Sequence, residues 1–121
     1  MEQFYKWISE IDQKEGFNKE IQAFHFGIIE GENGYFLYLT GSKEYSLDND
    51  DWACNDDFEP EEKYFALPGD LTKDKNWQDI LKISSDFLYN YTQSKEFSNS
   101  IFKNAVAITT GFDDGGLHRI V

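Results

Sequence analysis

The stretch Ile21-Gln22-Ala23-Phe24-His25-Phe26-Gly27-Ile28-Ile29-Glu30-Gly31-Glu32-Asn33-Gly34-Tyr35-Phe36-Leu37-Tyr38-Leu39-Thr40 decides the fold. Two runs rich in Phe, Ile, Leu and Tyr, Ile21 to Ile29 and Tyr35 to Thr40, flank Glu32, Asn33 and Gly34, whose turn chemistry predicts a β-hairpin. In the first run Phe24, Phe26 and Ile28 fall on one face and Ile21, Ala23 and Ile29 on the other. A strand apolar on both faces is expected in the middle of a sheet.

Upstream, Phe4, Trp7, Ile8 and Ile11 recur at helical spacing, with Glu2, Lys6, Glu10 and Lys14 on other faces and Gly16 as the expected stop. Downstream, Tyr45 to Leu47 and Trp52 to Cys54 read as short strands around an Asp48 to Asp51 turn. Pro60 interrupts regular structure, and Tyr64 to Leu67 reads as a brief extended segment ended by Pro68 and Gly69. Asn76 or Asp74 then supplies the start of a second amphipathic helix, with Trp77, Ile80, Leu81, Ser84, Phe87, Leu88 and Tyr91 on one face. Ala105 to Phe112, the turn Asp113 to Gly116 and Leu117 to Val121 form a closing hairpin. The prediction is one α+β domain over residues 1–121, in the order α-β-β-β-β-α-β-β. Its sheet is mostly antiparallel, and the two main helices pack on one face.

Apolar residues make up 40% of the 121-residue chain and aromatics 17%, too much bulky side chain for a disordered acidic protein. No run of about 20 apolar residues is present, and the first residues lack a basic-then-apolar signal pattern. A lone cysteine, Cys54, makes no internal disulfide, so a reducing cytoplasm is the expected home.

The net charge of −12 argues against nucleic acid and anionic membranes as partners and for a basic protein. Its distribution is uneven: residues 1–43 carry −3, residues 44–62 carry −9, and residues 63–121 are neutral overall. The middle segment holds Glu44, Asp48, Asp50, Asp51, Asp56, Asp57, Glu59, Glu61 and Glu62 without one Lys or Arg, interleaved with Tyr45, Trp52 and Phe58. Carboxylates steer a basic partner and rings anchor it. Glu44, Tyr45, Asp48, Asp50, Asp51, Trp52, Asp56, Asp57, Phe58 and Glu59 are therefore the expected contact residues. The competing reading has Trp52 and Phe58 filling the core while the acids face water.

Catalytic chemistry has thin support. His25 and His118 are the only imidazoles; His25, between two Phe residues, reads as a packed and hydrogen-bonded side chain, and Cys54 as small core filler in a field that disfavours its thiolate. One Cys and two distant His lack zinc spacing. The carboxylates from Asp48 to Asp57 lack the Gly and the terminal Glu of a calcium loop. No phosphate-binding glycine loop occurs. No catalytic residue, metal or cofactor is expected.

The segment Asp51-Trp52-Ala53-Cys54-Asn55-Asp56-Asp57-Phe58-Glu59-Pro60, with Tyr64-Phe65-Ala66-Leu67-Pro68 and Gly111-Phe112-Asp113-Asp114-Gly115-Gly116, resembles in style the small immunity proteins that bacteria encode beside polymorphic toxins. That resemblance implies a cytosolic antidote that binds a toxin domain, often a basic nuclease, and blocks its active site. The alternatives are an adaptor or structural domain whose acidity serves solubility, and a small enzyme.

Overall fold

A computed structural model describes residues 2–14, 20–32, 34–113 and 115–121. Helix α1 (Glu2–Lys14) buries Phe4, Trp7, Ile8 and Ile11, the stripe expected from their spacing. The expected stop at Gly16 and two turn residues, Asn33 and Asp114, lie outside the described residues. Strands β1 (Ala23–Gly31) and β2 (Gly34–Ser42) pair antiparallel from Ala23 opposite Ser42 to Gly31 opposite Gly34, so the hairpin is present and each strand runs to nine residues.

Beyond β2 the chain differs from the sequence-based reading. Tyr45 to Leu47 has no strand pairing, and Trp52 to Cys54 falls in a turn of 3-10 helix, Asp51–Cys54. A short β3 (Tyr64–Ala66) follows, then a single-turn α2 (Gly69–Thr72) and the long α3 (Trp77–Thr92). Asn76 caps α3 by accepting a hydrogen bond from the Asp79 amide at 2.9 Å. This is the physical role for which a short polar side chain is favoured there. A turn of helix α4 (Lys95–Ser98) and a 3-10 turn Ile101–Asn104 lead into β4 (Ala107–Phe112), and β5 (His118–Arg119) ends the sheet.

The sheet order is β3-β2-β1-β4-β5, which places β1 at the centre as its two apolar faces require. Every pairing is antiparallel except the central one: β1 and β4 run parallel, Ala23 opposite Ala107 through Ile28 opposite Phe112. The reason is the path of α3. A strand that leaves the sheet by a helix and returns after it comes back in its original direction; β3, antiparallel to β2, therefore shares the direction of β1, and so does β4.

One face of the sheet, carrying Phe24, Phe26, Ile28, Leu37, Leu39 and Ile108, forms the main core with α1 and α3. Phe4 is central to it, edge-on to Phe65 and Tyr91 at ring distances of 5.6 and 6.2 Å. A buried polar pair lies within this face: Ser84 of α3 bonds Thr110 of β4 at 2.8 Å, and Thr110 donates to the Phe26 carbonyl at 2.7 Å, leaving neither hydroxyl unsatisfied. No described helix is long and apolar enough to cross a membrane.

Candidate functional site

The other face of the sheet is covered by a loop. Alternation along β1 turns Ala23, His25, Gly27 and Ile29 away from the helices. The pairing registers place Thr40, His25 and Thr109 in one row across three strands. Over this row lies the acidic segment. It is pinned at one end by reciprocal backbone bonds between Gly41 and Phe58, at 2.9 and 3.1 Å, and at the other by Leu39 donating to the Lys63 carbonyl. Between these points Lys43 N–H donates to Asp57 at 2.8 Å, Asn55 to Ser42, and Asp51 N–H to Asn49.

Trp52 is the clamp. It is 4% exposed and packs with Ala23 and Ala107, with Tyr45 against it edge-on at 5.2 Å. Phe58 is half-buried against the main core, edge-on to Phe24 at 6.1 Å. Tyr45 is half-buried beneath Arg119, whose guanidinium lies 5.5 Å from its ring. The rings among the expected contact residues thus fasten the segment to its own sheet, Trp52 buried and Tyr45 and Phe58 half-buried. The carboxylates follow the expectation of exposure: Glu44, Asp48, Asp50, Asp51, Asp56, Asp57 and Glu59 are all exposed. Glu59 pairs with Lys63 at 2.7 Å and Glu62 with Lys14 at 3.6 Å. Among the described residues Asp48, Asp50, Asp51 and Asp56 make no ion pair. Cys54 is exposed and is no core filler.

Loop and sheet enclose a cleft of about 470 Å³, within the range of small-ligand sites. Asp50, Asp51, Asp56 and Cys54 line it from the loop, and His25, Tyr38 and Thr40 from the sheet. Lys63, Tyr64 and Asp113 complete it from distant parts of the chain. Gly27 makes this geometry possible. A β-carbon at Gly27 would lie 2.0 Å from the Tyr38 ring, so its absence lets that ring cross β1 and donate its hydroxyl hydrogen bond to Asp113. Burial and this bond raise the Tyr38 pKa. Lys63 sits 5.5 Å from the Tyr38 ring and 5.7 Å from the Tyr64 ring, and its hydrogen bond to Glu59 raises its pKa.

His25 forms the floor. It is 4% exposed, with Nδ1 bonded to Thr109 Oγ1 at 3.0 Å. This is the packed, hydrogen-bonded histidine its position in the strand predicts. Burial lowers its pKa to about 4, although Asp113 and Asp50 pull in the opposite direction. The imidazole is therefore neutral at pH 7. Among the described residues no group of three or more His, Cys, Asp or Glu side chains converges as a metal site.

A second, more apolar hollow of about 780 Å³ opens at the end of the sheet. It shares Ile29, Phe112, Asp113 and Gly115 with the acidic cleft and carries Trp77, Leu81 and Tyr35. Trp77, expected on the buried face of α3, is 59% exposed here because the first turn of that helix overhangs the sheet end. Tyr38, Lys63, Asp113 and Trp77 were invisible as site residues in the sequence, since Tyr38 and Asp113 lie 75 positions apart. The one local signal was Gly27 in an otherwise apolar strand, a mark of close approach by another group. Comparison with family models, with curated proteins and with solved structures returns no match.

Proposed function

We propose that this chain is a non-catalytic binding domain that captures a basic protein on the loop-covered face of its sheet, and that it serves as a cytoplasmic antidote to a basic toxin domain, as its resemblance to immunity proteins implies. One observation carries the proposal: Asp50, Asp51, Asp56 and Asp113 surround a cleft whose single lysine, Lys63, is already paired with Glu59. Like charges gathered around a concavity focus a negative field that raises the encounter rate of a cationic surface. Exposed Trp77 and Tyr64, at the two ends of this region, supply the apolar contact that the tucked Trp52 does not.

The test uses the partner retained by the immobilised chain from its native cell and eluted with rising salt. Asp50→Lys with Asp56→Lys should slow its association about tenfold or more, with the melting temperature unchanged because both side chains are exposed. Association at the wild-type rate would defeat the proposal and leave an acidic adaptor whose charge serves solubility. A second reading, a small enzyme, draws on the presence of His25 and exposed Cys54 in the same cleft. Alkylation of Cys54 that leaves partner capture intact while abolishing a hydrolytic activity would favour it.

A further inference from the structure

We infer that the acidic cleft receives the guanidinium group of an arginine side chain presented by the partner protein, an inference that rests on the proposed function and specifies its contact. The floor supplies an observation independent of the rim charges. His25 spends Nδ1 on Thr109, and its Nε2 has no partner among the described residues. Because no buried side-chain nitrogen or oxygen among the described residues lacks a hydrogen bond, this nitrogen opens onto the cleft that the ring lines. An almost completely buried imidazole thus offers one unmet hydrogen-bonding position to whatever enters.

Two features of the cleft select the guest. Among the described residues the rim carboxylates of Asp50, Asp51 and Asp56 make no ion pair, so the guest is a cation. The wall is aromatic, and the Tyr38 and Tyr64 rings already hold the Lys63 ammonium near their faces. A planar guanidinium stacks on such rings and directs five donors outward in its plane to several acceptors at once, whereas an ammonium concentrates three donors at one point. A guanidinium has no acceptor. Its entry therefore requires the His25 proton on Nδ1, donated to Thr109, and the lone pair on Nε2.

The full-length chain, labelled with ¹⁵N, is titrated at pH 7 and low salt with N-acetyl-arginine amide and with N-acetyl-lysine amide. The arginine probe should shift the His25 ring nitrogens saturably and drive them to the Nδ1–H tautomer, with the lysine probe several-fold weaker. Asp50→Asn with Asp56→Asn, two exposed changes outside the core, should weaken the arginine response about tenfold. A silent His25, an equal lysine response, or an undiminished response in the double variant overturns the inference. If His25 stays silent while Asp50→Lys with Asp56→Lys still slows partner capture, the arginine contact is wrong and the proposed function stands. If capture is also unaffected, both fall.

Discussion

The helix-covered face of the sheet buries rings against rings, Phe4 against Phe65 and Tyr91, Phe24 against Phe102 at 4.8 Å. The loop-covered face buries a histidine and threonine hydroxyls, with a single buried indole packed beside them on Ala23 and Ala107. Apolar burial contributes roughly 25 cal/mol per Å², so the first face holds the fold together. The second gains little beyond Trp52 and contains the cleft. A sheet can thus assign stability to one side and leave the other free to carry polar groups whose burial a stability-driven sequence would avoid.

Truncation should expose the difference most strongly. Phe4→Ala is expected to lower global stability by about 4 kcal/mol, measured by urea denaturation. Trp52→Ala should act locally, with hydrogen-exchange protection lost over residues 43–58 and retained in α3. Equal loss of protection on both faces would mean that the loop is part of the core.

The next effect is pH-dependent. His25 titrates at 6.5 in the unfolded chain and at about 4 when folded, so between these values the unfolded state binds more protons. Its contribution is complete above pH 6.5, declines as pH falls, and is gone below about 4, a change on the order of 3 kcal/mol. The carboxylates of Asp50, Asp51, Asp56 and Asp113 line the same cleft, so the measurement is the difference between wild type and His25→Gln. That difference should vary with pH from 7 to 5. A constant difference would show that the imidazole is not held neutral.

Gly27→Ala comes third, at about 2 kcal/mol. The added methyl displaces the Tyr38 ring, and loss of the Tyr38 to Asp113 bond should appear as a fall of the tyrosine pKa towards its ordinary value in a spectrophotometric titration. Asn76→Ala is the smallest, about 1 kcal/mol from the lost α3 cap, and it should leave the cleft unchanged in the arginine titration.

The helix-covered face was legible because it is periodic. Phe4, Trp7, Ile8 and Ile11 state a helix, the runs on either side of Gly34 state a hairpin, and Asn76 marks where α3 begins. The loop-covered face has no period. Trp52, Ala53 and Cys54 are too few to separate a strand from a turn of 3-10 helix by alternation, and only the tertiary fold decides that the indole points at Ala23 and Ala107. Trp77 follows the helical stripe of α3, yet the stripe does not reveal that the sheet ends beneath it. The parallel pairing of β1 with β4 was likewise illegible, because it follows from the route of the crossover and not from the composition of either strand. The ten expected contact residues were found as a charged segment, while the groups that turn that segment into a cleft arrive from β1, β2, β3 and the turn after β4.

The outermost strands, β3 with three residues and β5 with two, have a consequence for how any second molecule attaches. So little unpaired backbone remains along either margin that a visiting strand would find few amide and carbonyl groups to register with. On the proposed binding role, recognition would then be written in side chains, and a partner could change its main-chain conformation and still be held, provided its charges and rings arrive in the right places.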